Sequence, residues 1–390
     1  MTTINSNSLR EDLATLDPAV RAHLERAGFD EARFLRFAAT LREGDARTRQ
    51  STRNRVQGEV TTPSEGDLIR PPLPGSPEYE RLKALGDAAV HDAQVAFCVM
   101  AGGMATRMGG VVKALVEALP GKTFLDLRLA ENRTVSRGAK APVPLWLMVS
   151  DATEPATRDA LAKAGAPGHV QTFLQDASLR LTPDGRLFRD DKGEPSVYST
   201  GHGDTLDALR RSGLLRGFVE RGGKYVWIAN LDNLGATLDP VLLGLFIDSQ
   251  RNLMTEVADK EEGDRGGIPV HAPAPDGSRK FQVLEEYRLP EGFDAAKVRV
   301  FNTNTCLVKA ERLLDAKVAW TYFEVEKKVD GRPAVQFERL LQEITTALDS
   351  SYVIIPRHGP GARFLPVKDF AELDKRAADI EAVARARGML

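Results

Sequence analysis

The sequence predicts an α/β protein built on a doubly wound, mostly parallel sheet. Three observations carry this. Val95-Ala96-Phe97-Cys98-Val99-Met100 is an unbroken apolar run that stops at Gly102-Gly103, as a strand covered on both faces does. Similar short runs recur downstream. Helical segments stand between them, and alternation of strand and helix is the pattern of a parallel sheet.

In chain order, residues 17–44 carry Leu24, Ala27, Phe34, Phe37 and Leu41 at helical spacing, with Gly28 and Gly44 as stops. Residues 51–77 are polar, rich in Pro, Gly and Arg, and aperiodic, so an extended connection is expected. Residues 76–89 predict a helix with Ser76 as cap and Pro77 in the first turn. After the strand at 95–100, a helix is expected over 111–119, a strand at 145–149, a helix at 156–164 and a strand at 170–173. A helix over 205–220 and a strand at 225–229 follow. Residues 250–310 are richer in β patterns, at 280–284, 300–301 and 305–308. A strand at 352–355 and a charged helix at 370–387 close the chain. The expected division is 1–90 as a helical segment and linker, 91–345 as the catalytic domain, and 346–390 as a short C-terminal segment. There is no internal repeat and no low-complexity tract.

The 390 residues suffice for a sizeable core, and 42% hydrophobic with 28% charged is ordinary globular composition. Fifty-three Lys plus Arg against 55 Asp plus Glu leave a net charge of -2, without the basic excess of a nucleic-acid or anionic-membrane binder. Two cysteines, both in apolar runs, make no disulfide framework. The first residues lack a secretory leader pattern, and no apolar run reaches bilayer length. The expectation is a cytoplasmic protein with neither nucleic-acid nor membrane partners. Nothing in the sequence fixes an oligomeric state.

The loop after the first strand, Ala101 to Gly110 with Lys113 beyond, is the first candidate site. Glycines there let the backbone turn and approach a ligand, main-chain N–H groups suit a phosphate, Arg107 adds a forked donor and Lys113 a point charge. The alternative is a plain turn carrying two solvated cations. A dinucleotide fingerprint would need G-x-G-x-x-G and an acid about 20 residues on; Asp126 stands near that distance, but the second glycine position holds Ala105. A P-loop would need G-K-[ST], which is absent. Asp232, just past the strand at 225–229, suits either Mg²⁺ shared with nucleotide phosphates or a helix N-cap. His202, flanked by glycines, is either a ligand contact or a solvated loop residue.

These residues resemble the UDP-sugar pyrophosphorylase family. Gly102, Gly103, Thr106, Arg107, Gly109 and Lys113 match its loop signature L-x-G-G-x-G-T-R-L-G-x-x-x-P-K, with Ala105 and Val112 as departures. Gly201-His202-Gly203-Asp204 is similar to its G-H-G-D, although Ser199-Thr200 stands where prolines are usual. Asn230 to Gly235 resembles its N-x-D-N-L-G, and Gly266-Gly267 and Leu284-Glu285 its G-G and L-E. Phe301-Asn302-Thr303-Asn304, Lys327 to Gly331 and Arg363 to Lys368 resemble F-N-T-N, K-x-V-D-G and R-F-L-P-V-K. The order is the family's, over roughly 95–373.

The resemblance implies a nucleotidyltransferase fold of GT-A-like type and an enzyme joining UTP to a sugar 1-phosphate, glucose 1-phosphate first, with release of pyrophosphate. It implies Arg107 and Lys113 on the triphosphate, Asp232 on Mg²⁺, and Lys327 and Lys368 on the sugar phosphate and transition state. Gln175 in Phe173-Leu174-Gln175 would read the uracil edge, and Gly102, Gly103, Gly201, His202, Gly203 and Asn230 would line the nucleotide. Glu285, Asn302 and Asn304 would meet sugar hydroxyls or, alternatively, internal partners. An insertion at 358–362 precedes the last motif, and many relatives continue into a β-helix for which this chain has no room. The rival readings are a UDP-N-acetylhexosamine pyrophosphorylase, a non-catalytic nucleotide-sugar sensor on the same fold, and a dinucleotide oxidoreductase using Asp126.

Overall fold

The apolar runs lie side by side as one sheet in a computed structural model that describes residues 6–264 and 266–390. Its strands are β1 (Leu68–Ile69), β2 (Val95–Met100), β3 (Leu145–Val149), β4 (Val170–Leu174), β5 (Tyr225–Asn230), β6 (Leu253–Asp259), β7 (Val300–Lys309) and β8 (Ser350–Ile354). Their order is β1-β8-β6-β7-β5-β2-β3-β4. Every neighbouring pair is parallel except those of β7, which runs against β5 and β6. The chain leaves β2 toward β3 and β4 and returns on its other side as β5. The β2/β5 junction is therefore a switch point, where the carboxyl ends of strands leave a crevice.

Strand β2 is buried at all six positions, and its two faces feed different cores. Val95, Phe97 and Val99 pack with the helices Phe124–Val135, Pro240–Ser249 and Phe370–Ala386. Ala96, Cys98 and Met100 pack with Thr205–Arg211 and Leu214–Glu220. Period-two alternation in a wholly apolar run thus builds two layers of helix on one sheet.

The N-terminal helices Ser6–Ala14, Pro18–Arg26 and Glu31–Thr40 make a separate core with residues 177–187, Val335 and Phe337, where Phe37 stacks on Phe337 at 4.1 Å. Gly28 and Gly44 adopt φ of +70° and +62° after the second and third of these helices. Ser76 caps Pro77–His91 through Tyr79 N–H.

Three local expectations are corrected. Residues 111–119 are not a helix: Val111–Val112 pairs with Met104–Ala105, a 3-10 turn covers Lys113–Leu115, and Glu117–Leu119 is a strand. Gly109 and Gly110, at φ of +88° and +74°, turn the chain back so that Lys113 N–H bonds the Gly103 carbonyl at 3.2 Å. The helix expected over 205–220 breaks in two at Gly213, whose φ is +77°. The connection expected over 51–77 begins inside the helix Ala46–Asn54, which Asp45 caps, and later supplies β1. The central sheet draws β1 from the N-terminal segment and β8 from beyond 345, so it crosses both expected segment boundaries.

Candidate active site

A cleft of about 360 Å³ opens at the β2/β5 switch point. Gly102, Gly103, Lys113, Gln175, His202, Asn230 and Asp232 line it, with Met100, Met148 and Ser199.

The loop after β2 forms the first wall. Gly102 must lack a side chain: a Cβ there would lie 2.6 Å from Gln175 Oε1 and 3.2 Å from Ser150 N. The Ser150 hydroxyl donates to the Gly102 carbonyl at 2.8 Å. Gly103, by contrast, faces open space. The Lys113 ammonium crosses the cleft and pairs with the Asp232 carboxylate. Ala105, the departure from the family pattern, is buried in the main core at an ordinary φ of -76°. Its methyl group is packed into that core. Val112 takes its place in the bridge to Met104. Arg107 is exposed beside this wall and makes no ion pair among the described residues.

Asp232 comes from the turn after β5. No helix starts there, because Pro240–Ser249 is capped by Asp239, and this leaves the N-cap reading of Asp232 without a helix to cap. Two buried groups shape the turn. Arg128 donates to the carbonyls of Asn233 at 2.5 Å, Ala236 at 3.0 Å and Asn230 at 3.3 Å. Asn233 donates to the Arg363 carbonyl at 3.1 Å and accepts from Leu365 N–H at 2.7 Å. The R-F-L-P-V-K segment is thereby tied beneath the site, with Arg363 itself buried on Glu256 at 2.7 Å.

The F-N-T-N segment is a β-bulge. Glu256 faces Thr305 but Val257 faces Asn302, so residues 303 and 304 are extra. Asn304 takes φ of +61°, a conformation asparagine tolerates better than most residues. Asn302 Oδ1 accepts from Asn304 N–H at 3.0 Å, and Asn304 Nδ2 donates to Asn230 Oδ1 at 3.2 Å. Both asparagines therefore make internal contacts, and the bulge steers one of them onto a residue of the cleft. Glu285 accepts from Gln342 outside the cleft, and burial raises its carboxyl above the usual range.

Residues 175 and 201–204 form the second wall. Gln175 Nε2 donates to the Gly201 carbonyl at 2.8 Å and to Asp204 at 3.2 Å. His202 Nδ1 accepts from Leu341 N–H at 3.0 Å, and burial lowers the ring to about 4, so it is neutral at pH 7. Gly201 and Gly203 serve packing: a Cβ on either would meet the Arg339 main chain, at 2.4 Å and 2.8 Å. Arg339 is buried and pairs with Asp207 at 2.5 Å, Asp176 at 2.6 Å and Asp204 at 2.7 Å. Burial pushes the Asp204 carboxyl up, with Arg339 pulling it back.

The structure brings together Gly102, Gly103, Lys113, Gln175, Gly201, His202, Gly203, Asn230, Asp232 and Asn304, with Asn302 behind them. It does not bring Lys327, Lys368, Arg107 or Glu285 to the cleft lining. Lys327 is exposed on the hairpin of Phe323–Val329 with Arg332–Glu338, and Lys368 is exposed just before the last helix. Sequence reasoning missed Arg339, Asp176, Arg128 and Ser150; only Asp204, the last residue of G-H-G-D, carried a signal. Asp126 accepts from Thr123 N–H and Oγ1 in a capping box, which spends the carboxylate that a dinucleotide ribose would need. Among the described residues no three His, Cys, Asp or Glu side chains converge on a metal-sized site. Asp232 alone suits a cation that takes its other ligands from phosphates, as Mg²⁺ does in nucleotide sites.

A doubly wound sheet with a glycine loop, an acidic turn and a switch-point cleft is the arrangement in which α/β proteins bind nucleotides. The chain belongs to the UTP--glucose-1-phosphate uridylyltransferase family, whose model matches residues 51–379. It is 30% identical over 330 residues to the UTP--glucose-1-phosphate uridylyltransferase of Hordeum vulgare, covering 81% of this chain and 66% of that one. It is 28% identical over 292 residues to the enzyme of that name from Encephalitozoon cuniculi, covering 72% and 57%. The chain thus spans roughly three-fifths to two-thirds of these relatives' lengths. In fold it resembles the uridine diphosphate N-acetylglucosamine pyrophosphorylase of Trypanosoma brucei, with a TM-score of 0.74 at 19% identity over 96% of this chain and 82% of that one.

Proposed function

We propose that this chain is a uridylyltransferase that makes UDP-glucose and pyrophosphate from UTP and glucose 1-phosphate, reversibly. The observation that carries the reading is the Lys113–Asp232 pair, which sits across a cleft shared with Gly102-Gly103, Gln175 and His202. One cation and one carboxylate at the carboxyl ends of β2 and β5 meet the two needs of a nucleoside triphosphate: a counter-charge and a metal ligand.

In this reading the sugar-phosphate oxygen attacks the α-phosphorus in line. That P–O bond forms as the bond to the β-phosphate oxygen breaks, and pyrophosphate leaves. No protein nucleophile is required, so the work is positioning and charge stabilisation. Gly103 keeps the first wall open to the phosphates. Lys113 supplies positive charge where charge builds on the phosphoryl oxygens. Gln175 and the Gly201–Gly203 loop hold the base and ribose, with His202 turned toward a phosphate oxygen. Asn304, through Asn230, fixes the acidic turn. Mg²⁺, held by Asp232, would neutralise phosphate charge. Lys327, Lys368 and Arg107 keep the charge-stabilising roles that the family pattern gives them, and single substitutions test each. Two buried, unpaired cysteines and the absence of any helix long and apolar enough to cross a membrane, among the described residues, support a cytoplasmic setting.

The deciding experiment is pyrophosphate release with Mg²⁺ across UTP, dTTP, ATP and GTP, each with glucose 1-phosphate and N-acetylglucosamine 1-phosphate. Release from UTP with glucose 1-phosphate, abolished by chelator, is the expected result. Preference for the N-acetyl sugar moves the assignment to the hexosamine enzyme. UTP or UDP-sugar binding without release from any pair moves it to a sensor.

A further inference from the structure

We infer that Arg339 is the positioning residue of the second wall: through Asp204 and its main-chain bonds to Thr200 and Gly203 it presents Gln175 oxygen-first to the ligand, while the main chain at Leu341, two residues on, presents His202 as an Nε2–H donor. The inference rests on the proposed reaction only for which base is bound.

The geometry has three parts. The first is the Gln175 amide. Both partners of its Nε2, the Gly201 carbonyl and the Asp204 carboxylate, are acceptors. A flipped amide would set oxygen against oxygen at both contacts, so the orientation is fixed by chemistry. Oε1 is left beside Gly102 with no donor among the described residues. The second is what holds the two acceptors. Asp204 is gripped by Arg339 Nε at 2.7 Å and by the Thr200 hydroxyl, at 2.8 Å to each oxygen. Thr200 occupies a place where the family usually has proline, which has no such donor. Gly203 N–H donates to the Arg339 carbonyl at 3.0 Å, and Arg339 N–H to the Thr200 carbonyl at 2.9 Å. Arg339 also binds Asp176, the neighbour of Gln175, at 2.6 Å. The third is His202. Leu341 N–H donates to Nδ1, so the neutral ring carries its proton on Nε2, which has no partner among the described residues.

One buried arginine and the main chain two residues on thus set the polarity of the wall: an acceptor at Gln175 and a donor at His202. The acceptor matches a pyrimidine that offers a ring N–H, as uracil does. Cytosine offers a lone pair at that atom and would face the amide oxygen with like charge. The donor matches an anionic phosphate oxygen.

The test is the ratio of kcat/KM for UTP over CTP, with glucose 1-phosphate, in the wild type, Asp204→Asn and Arg339→Lys. Asp204→Asn keeps the shape but turns an N–H₂ toward Gln175 Nε2, setting the two partners of the amide at odds. The expected result is a UTP preference that falls by about tenfold or more, mainly through KM, and less in Arg339→Lys. A parallel loss for both nucleotides, with the ratio unchanged, would mean a structural role only and overturn the inference. Should neither variant fold, calorimetry on the wild type compares UTP with N3-methyl-UTP, in which a methyl group replaces the N–H, and with 5-methyl-UTP, which adds a methyl group but keeps the N–H. Weaker binding of N3-methyl-UTP alone, by about tenfold, is expected; equal binding of N3-methyl-UTP and UTP, or an equal loss with both methylated nucleotides, overturns the inference. A wild type that binds UTP over CTP yet releases no pyrophosphate would sustain this inference while ending the enzymatic reading. Equal turnover of UTP and CTP would do the reverse.

Discussion

The two walls of the cleft both present glycines, and they need them for opposite reasons. On the first wall, Gly103, Gly109 and Gly110 have nothing within 4 Å of where a Cβ would stand. Gly109 and Gly110 are there for positive φ, and Gly103, outside the left-handed region, leaves room for a ligand. On the second wall, Gly201 and Gly203 are pressed against Arg339, with no room for a methyl group. Apart from Gly102, which lies against Gln175 and Ser150, the first wall's glycines face open space, whereas those of the second are closed in by the protein. The difference teaches that glycine in a motif marks close approach without saying what approaches.

The largest expected effect lies on the second wall. Arg339→Ala leaves Asp176 and Asp204 buried without their shared partner and should cost about 3–5 kcal/mol of stability in urea unfolding. On the first wall the effect should fall on chemistry. Lys113→Ala should lower kcat/KM by about 10²-fold or more. Its unfolding free energy should move by no more than about 1 kcal/mol, since the pair with Asp232 is partly solvated. Full activity in that variant would remove the phosphate site from the first wall.

A pair of matched substitutions tests the comparison directly. Gly201→Ala, at φ of +98° and 2.4 Å from the Arg339 carbonyl, should destabilise by about 1–3 kcal/mol. Gly103→Ala should stay within about 0.5 kcal/mol while raising the KM for nucleotide. Equal stability costs would break the comparison.

His202 gives a pH signature to the second wall. Its folded pKa of about 4 lies below the ordinary value of about 6.5. Between these values the unfolded chain takes up a proton that the folded chain refuses. The stabilisation is therefore complete above about pH 6.5 and is lost as pH falls toward 4. His202→Gln should flatten that part of the stability profile, measured by urea unfolding across pH; an unchanged profile would show that the ring is solvated. The smallest effect on stability is expected at Lys327→Ala, exposed and outside the cleft lining, with the unfolding free energy unchanged within about 0.5 kcal/mol. Its proposed charge-stabilising role predicts a drop in kcat/KM of about tenfold, and unchanged kcat/KM would take the hairpin out of the chemistry.

What the sequence determined by itself is local. Continuous apolar runs determined the strands, because a strand covered on both faces has no polar side to display. Glycines and caps determined most boundaries. Ordered short motifs determined the family and most of the cleft, since the glycine loop and the acidic turn follow two neighbouring parallel strands and a parallel sheet gathers such strand ends on one edge. Tertiary structure alone decided the rest. The segment 111–119 folds back because Lys113 N–H finds the Gly103 carbonyl, a partner that helical periodicity does not encode. Ala105 turned out to be packed, and Lys327 and Lys368 to stand apart from the cleft lining, because exposure depends on which element comes to rest alongside. Arg339 lies 135 residues from Asp204 and 163 from Asp176, and no short-range pattern joins them. A buried charge is tolerated only where its partners converge, and convergence over that separation is a property of the folded chain.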